Sequence, residues 1–494
     1  MTDQLRVVEP LSPGKGGDAR SAARGGLSLL LAQTAARFVA LAFVIAATRA
    51  FAPAAFGRYS VATAIVLFGG IIGDLGTTTA ITRTISADPA TADRLLAGTV
   101  LPCAGLGVIA WGACVAFTVA ARYPTLTLVD VTIAGGALPV TSALTSMLGA
   151  LDGAGAIARR SALTLTQTTV SLLTGLALVA AGFGPRPLIA STLTGPVVTA
   201  VAAVVVTRRL GLWRSPPCVN ATATWWLVRR SAPYALLAGI AIIYRRLDVV
   251  VLSLLRDRAQ VANYDLALRV IEGLGYFGSA ISAPALFLFS RRLASGDIDG
   301  AQRALRTAAR AVYLVGFLIA SMLFCASQPL VRAVFGAPYA GAGIPLAVLG
   351  AGIWLDFVGV LQGAVLAAGA RLRQGILLGL GLVIGLGCMD VALIAVWGAT
   401  GAAIAMVAFE IASVVGIALF NRRVNGVQMP PPPARVIAAA VVCGVAIRLA
   451  IPFAGVAAVI VGAAVYVATL VLTRAVGLDD LAMIRRVVGG RSPA

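Results

Sequence analysis

Apolar positions in this chain come in long blocks, with neither the strict alternation of half-buried strands nor the narrow stripe of surface helices. Each block is about as long as the roughly 20 residues a helix needs to cross a hydrocarbon core about 30 Å thick, and clusters of Arg, Pro and Gly interrupt the blocks. The pattern predicts fourteen helical spans, at roughly 27–50, 59–81, 95–121, 126–150, 161–183, 187–207, 231–255, 261–289, 308–335, 342–369, 374–397, 400–420, 434–450 and 452–473. The expected fold class is an all-α polytopic membrane protein.

Spans 1–6 and 7–12 share an orientation, because six crossings return the chain to its starting side. Shifting the chain by 205 positions lays "FGRYSVATAIVLFGG" (56–70) on "VANYDLALRVIEGLG" (261–275), matching Tyr59 with Tyr264 and Gly70 with Gly275. Spans 4 and 10 both leave through Gly-x-x-x-Arg, as Gly155 to Arg159 and Gly369 to Arg373. The expected organisation is two parallel six-helix lobes, 27–210 and 231–420, with the substrate path at their interface. An arm precedes them (1–26), and a linker at 211–230 joins them, where tryptophans and arginines suit a helix lying in the headgroup plane. A second linker (421–433) ends in four prolines and leads to two further helices (434–474) and a tail (475–494).

Composition agrees with the pattern and charge adds a topology. The 494 residues are 59% hydrophobic and 12% charged, with a mean hydropathy of +0.95, outside the range of soluble domains. A net charge of +20 raises the question of nucleic acid. The placement of the basic residues answers it: they crowd the arm (Arg6, Lys15, Arg20, Arg24) and every second loop, while the alternate loops hold only Arg58, Arg122, Arg186, Arg256, Arg258, Arg332 and Arg448. This positive-inside bias expects a multi-pass protein of the cytoplasmic membrane with both termini inside, and no nucleic-acid partner. The polar arm is too long for a signal-peptide n-region, so the first block reads as a retained signal anchor. Five of six cysteines fall inside spans and Cys218 in a loop, which expects small core residues and no disulfide framework.

The chemistry available is narrow. The chain contains no histidine, which excludes imidazole bases and His metal ligands. Lys15 in "SPGKGGD" lacks the Ser or Thr of a phosphate-binding loop. Short loops leave little room for an active site, so neither an enzyme nor a cofactor is expected. What remains is charge inside spans, which costs about 2.5–3.5 kcal/mol per group at mid-helix and normally faces a cavity or a partner. "AIIYRRLDVVVLSLL" (241–255) holds Arg245, Arg246 and Asp248; span 8 aligns Asp265, Arg269, Glu272 and Tyr276 on one stripe. Span 1 offers Gln33, Thr34 and Arg37, and span 2 offers Asp74, Thr77 and Thr78 before Arg83. A purely structural reading pairs Arg245 with Asp248 and Arg269 with Asp265, and lets Arg49 and Arg83 snorkel. Arg37 and Arg246 have no acid at helical spacing on their own spans, which points to positive charge offered in a cavity. Guanidinium grips phosphate bidentately, so Arg37, Arg245, Arg246 and Arg269 are candidate diphosphate ligands. Asp248, Asp390 and Glu410 are candidate sites for a coupling proton or sodium ion; the structural alternative ties Asp248 to Arg245 and leaves Asp390 in contact with water.

"FGRYSVATAIVLFGGIIGDLGTTTAITRTIS" (56–86), "YRRLDVVVLSLLRDRAQVANYDLALRVIEGL" (244–274) and "WGATGAAIA" (397–405) resemble the Wzx-type polysaccharide flippases of the multidrug/oligosaccharidyl-lipid/polysaccharide exporter superfamily. The resemblance implies translocation of polyprenyl-diphosphate-linked oligosaccharide by alternating access, for cell-surface polysaccharide biosynthesis. It also implies the lipid bilayer as a partner, together with glycosyltransferases or a polymerase of the same pathway. In the related lipid II flippases, spans 1, 2, 7 and 8 line a cationic cavity and spans 13 and 14 form a groove for the lipid tail. A lipid II flippase and a cation-coupled multidrug antiporter remain the alternatives.

Overall fold

The computed structural model describes residues 40–219, 221–368 and 372–473. Every regular element in that range is helical. The α-helices are α1 (Ala40–Ala50), α2 (Pro53–Asp74), α3 (Thr77–Ala87), α4 (Ala92–Ala120), α5 (Thr125–Gly135), α6 (Leu138–Gly153), α7 (Ile157–Ala180), α8 (Pro185–Arg209), α9 (Ala221–Leu255), α10 (Arg258–Ala294), α11 (Ile298–Val334), α12 (Gly343–Ala368), α13 (Leu372–Val424), α14 (Ala434–Ala454) and α15 (Ala458–Leu472). Ten helical stretches among the described residues are long and apolar enough to cross a membrane. Two of them run to 46 and 39 residues, roughly 60–70 Å at 1.5 Å per residue, which is twice a bilayer core. Each is therefore two crossings, broken at Gly398 (φ 57°) and at Gly455 (φ 54°). The chain is a multi-pass membrane protein, and large apolar side chains such as Phe453, Ile460 and Leu472 stand outward as a lipid-facing surface requires.

Two predicted spans are split. Span 2 becomes α2 and α3, separated by Leu75 and Gly76, both left-handed (φ 43° and 73°). Asp74 makes the break tolerable: its Oδ1 accepts from the Thr77 hydroxyl (3.0 Å) and from the amide (3.2 Å) and hydroxyl (3.0 Å) of Thr78, satisfying donors at the start of α3. Span 4 becomes α5 and α6, divided at Gly136 and Ala137 ahead of Pro139.

The linker between the halves differs from the expectation. Among the described residues of 211–230, no helix separate from α9 is present. Residues 210–219 run as irregular chain over the start of α4, where Asp93 accepts from the Arg214 amide (2.5 Å) and from the amide (2.9 Å) and hydroxyl (2.6 Å) of Ser215, while the Cys218 amide donates to Ala97 (2.8 Å). Trp213 is buried there under the Arg208 guanidinium, and residues from 221 onward already belong to α9. The second linker is pinned as well: the Gln302 side chain exchanges two hydrogen bonds with the Gln428 backbone (2.7 and 2.8 Å), and the Tyr313 hydroxyl donates to Pro430 (2.7 Å). The following pair, α14 and α15, docks on α11 through Ser321 to Ala440 (3.0 Å) and Tyr466 to Leu314 (2.9 Å).

The end of the bundle that carries the two linkers is called the linker end below, and the opposite end the far end. At the far end the first half of the chain meets the second. Tyr339 donates to the Phe51 carbonyl (2.9 Å) and sets its ring edge-on to Phe56. Tyr123 shares a hydrogen bond with Ser253 (2.5 Å) beneath the Arg258 guanidinium. Arg49 does not snorkel; it donates to the carbonyls of Ala333 and Val334, closing the C-terminal turn of α11. Arg256 does the same for Ile394 (3.2 Å) and Ala395 (2.5 Å).

Candidate functional site

Just inside that far-end seam, α9 and α10 carry five charged side chains that interlock. Asp265 is the buried centre, 1% exposed. It accepts from Arg246 Nη1 (2.8 Å) on Oδ1, and from Arg269 Nε (2.7 Å) and the Ser60 hydroxyl (2.6 Å) on Oδ2. Arg246 uses its other fork nitrogen on Glu272 Oε2 (2.9 Å), and Glu272 Oε1 takes Arg245 Nη2 (3.2 Å). The resulting ladder runs Arg245, Glu272, Arg246, Asp265, Arg269. Helix periodicity explains one rung, since Asp265, Arg269 and Glu272 are four and three apart on α10. The other rungs cross between helices. Arg269 also lies 6.0 Å from the Phe56 ring and 5.8 Å from the Tyr59 ring, so α10 holds α2 through Ser60, Phe56 and Tyr59 together.

Several pairings correct the sequence-level reading. Arg246 is not unpaired, because its acids sit on the next span. Arg245 pairs with Glu272 and not with Asp248. The Asp248 carboxylate instead accepts from the buried Tyr264 hydroxyl and from the Val249 amide (2.7 Å). The pairing of Arg269 with Asp265 is as expected. Asp390 is wholly buried, not in contact with water, and neither carboxylate oxygen has a hydrogen-bond partner. It lies close enough to Asp248 and Tyr264 to interact electrostatically with both. Glu410 accepts from the Tyr244 hydroxyl (2.5 Å), and the Tyr244 ring stacks on Phe409. Arg37, Gln33 and Thr34 lie outside the described residues.

The ladder opens on one side into a cavity of about 200 Å³ bounded by Tyr244, Arg245, Glu272, Tyr276, Ser279 and Asp356. Arg245 keeps 48% of its side chain exposed there, against 13% for Arg246 and Glu272. Sequence reasoning missed Asp356, although a lone acid in "GIWLDFVGV" is an intramembrane charge like those it did single out. It also missed Ser60 and Tyr264, for which composition provides no signal because a hydroxyl becomes informative only once its partner is known. In the first half, Asp130 is buried 3.4 Å from Arg58, with one oxygen lacking a hydrogen-bond partner. No cluster of His, Cys, Asp and Glu able to hold a metal is present among the described residues.

This architecture has relatives. Residues 46–354 match the family described as "Polysaccharide biosynthesis protein". No curated protein matches the chain. Among solved structures, the lipid II flippase MurJ in an inward closed conformation is similar over 90% of this chain and 98% of its own, with a TM-score of 0.70 at 14% identity. An inward-facing multidrug resistance transporter of the MOP superfamily is similar over 78% of this chain and 94% of its own, with a TM-score of 0.60 at 16% identity. A MOP superfamily transporter from Pyrococcus furiosus, described as having a binding pocket of reverse polarity, is similar over 83% of this chain and 98% of its own (TM-score 0.55, 14% identity). The chain therefore belongs to the polysaccharide biosynthesis protein family and has the fold of the MOP superfamily flippases and transporters.

Proposed function

We propose that this flippase translocates polyprenyl-diphosphate-linked oligosaccharide across the cytoplasmic membrane for cell-surface polysaccharide biosynthesis, by alternating access between two six-helix lobes. The observation that carries the reading is Arg245, half exposed in a cavity of mixed polar and apolar lining and adjacent in the chain to Arg246, within a family named for polysaccharide biosynthesis. A planar guanidinium left facing such a space suits a diphosphate better than a neutral sugar or a cation. Arg37 and Arg269 belong to the same proposed head-group site. The basic linker end faces the cytoplasm in this reading, where lipid-linked precursors are assembled, and the far end is closed in the described state. Glycosyltransferases or a polymerase of the pathway are the natural partners, and no cofactor takes part.

For energy coupling the strongest place is Asp390 with Asp248. A buried carboxyl group without a hydrogen-bond partner is costly to keep charged, so it needs a proton or a cation such as sodium. Glu410, tied to Tyr244, is the second candidate. One observation favours a different cargo: Asp356, Glu410 and the stacked Tyr244 and Phe409 border the same region, and acids with aromatics suit an organic cation. The deciding experiment reconstitutes the full chain in proteoliposomes and compares translocation of a polyprenyl-diphosphate disaccharide with ethidium uptake. Disaccharide-lipid transport that falls in Arg246→Ala supports the flippase; ethidium transport alone would overturn it in favour of the antiporter.

A further inference from the structure

Glu272 has a geometry that diphosphate binding alone leaves unexplained. Its two oxygens are divided between two guanidinium groups, Oε1 3.2 Å from Arg245 and Oε2 2.9 Å from Arg246. Two anionic oxygens shared between adjacent arginines is also how a phosphate group would sit on them. Asp265, the other acid of the ladder, is fixed differently: it is 1% exposed, and Arg246, Arg269 and Ser60 saturate it. Glu272 is tied to Arg245 and Arg246 by one hydrogen bond each, and it stands on the cavity wall beside Arg245.

A cationic site inside a bilayer faces a competitor problem. Phosphodiester head groups surround it in great excess, each with about one negative charge, whereas a lipid-linked diphosphate, esterified at both ends, carries about two. Bare arginines would take either. An acid that already occupies them sets a threshold, because the entering anion must replace one carboxylate interaction with each guanidinium before it gains anything. The net charge of the ladder supports the same view, since Asp265 and Glu272 offset all but one of its three arginines, and Asp356 lies near enough to Arg245 to interact with it.

We propose that Glu272 is a resident counter-ion of Arg245 and Arg246 that exchanges with the ligand's phosphates, and that this exchange selects diphosphate-linked lipids over monoanionic lipid head groups. The inference rests on the diphosphate reading of the cavity. Asp265 stays in place during the exchange and keeps Arg246 oriented through Nη1, so only the Nη2 face of that fork is handed to the ligand.

The test uses the full chain in phosphatidylcholine nanodiscs, with geranylgeranyl diphosphate and geranylgeranyl methyl phosphate, a monophosphate diester with one negative charge, as probes and empty discs as the partition control. Wild type is expected to prefer the diphosphate. Glu272→Gln is expected to bind the monophosphate about tenfold more tightly and to lose most of the preference, since a neutral amide is displaced from the two guanidinium groups at less cost than a carboxylate. Glu272→Asp, with a withdrawn carboxylate, should move the same way by less, and covers the case in which the glutamine variant folds poorly. If wild type prefers the diphosphate and both variants bind either probe as wild type or more weakly at unchanged thermal stability, Glu272 only aligns the arginines and the exchange is wrong. If wild type binds neither probe above empty discs, or Arg246→Ala leaves binding untouched, the diphosphate reading itself fails and the exchange falls with it.

Discussion

Ser60 and Asp265 are 205 positions apart in the chain and 2.6 Å apart in space. The same offset lays Tyr59 on Tyr264 in the sequence, so two residues at matching positions of the two halves touch each other. Ser60→Ala should cost about 1 kcal/mol, the usual net value of one hydrogen bond, because Arg246 and Arg269 still hold the carboxylate. Thermal unfolding in detergent micelles reads this, and an unchanged midpoint would mean that the seam does not depend on the contact.

Much of this fold was legible because a membrane imposes length and polarity at once. Most of the apolar blocks within the described residues coincide with helices, although α9 and α11 begin at Ala221 and Ile298, well ahead of the predicted spans, and Arg, Pro and Gly marked most turns. The breaks within spans 2 and 4 were not legible: "GDLGTTT" lies inside an apolar run, and the cap that rescues Leu75 and Gly76 depends on where the Asp74 carboxylate points. For the site, helical spacing found the stripe on α10 but searched for partners of Arg246 only on its own helix. Its acids sit one span later, so an arginine that looked free is paired. Asp390 went wrong in the opposite direction, since distance from a span end does not reveal whether neighbours cover a side chain.

The tyrosines at the far end clasp opposite halves of the chain and should set how often that end opens. Tyr123→Phe removes the bond to Ser253, and Tyr339→Phe removes the bond to Phe51. Each loss of about 1 kcal/mol raises an open minor state roughly five-fold, and the two together should approach the product because the sites share no partner. A membrane-impermeant thiol reagent applied from the far-end side to a cysteine at position 279, on the cavity wall, in a cysteine-free background measures the labelling rate. Equal rates in wild type and the double variant would exclude the clasp.

Asp93 holds the linker between the halves by three hydrogen bonds to Arg214 and Ser215. Asp93→Ala should release residues 210–219 without disturbing the apolar body, because the carboxylate lies at the start of α4. Limited trypsin digestion is the readout: cleavage after Arg214 is expected several-fold faster in the variant, and Asp93→Asn should fall between. Identical digestion of all three would show that the Cys218 bond to Ala97 and buried Trp213 suffice.

Asp390→Asn replaces a buried carboxyl group that has no hydrogen-bond partner by a neutral group of the same shape. Expression and thermal stability should therefore be kept or improved, which separates this position from a structural acid. Transport is expected to lose its dependence on the ion gradient. Gradient-driven uptake into proteoliposomes, measured with sodium and with a proton gradient in turn, identifies the ion. Full gradient dependence in the variant would move the coupling site to Glu410.

Arg246 separates a binding role from a structural one most sharply, because it touches both. Through Nη1 it holds Asp265, which anchors Ser60 of α2; through Nη2 it holds Glu272, which lines the cavity. If its main duty is to neutralise Asp265, Arg246→Ala leaves a buried carboxylate with one partner fewer, and protein level falls before activity does. Arg269 and Ser60 still hold that carboxylate, however, so the fold should survive. Translocation per folded molecule is then expected to drop by one to two orders of magnitude, the worth of one charge-assisted contact to phosphate at about 1.5–3 kcal/mol. Arg246→Lys should recover the expression level fully and the transport only in part, since an ammonium can reach Asp265 or the ligand but cannot fork between them. Measuring expression and lipid-linked oligosaccharide translocation side by side for the two variants decides the matter. A lysine variant that restores transport as completely as expression would show that charge alone is needed at this position and that the fork binds nothing.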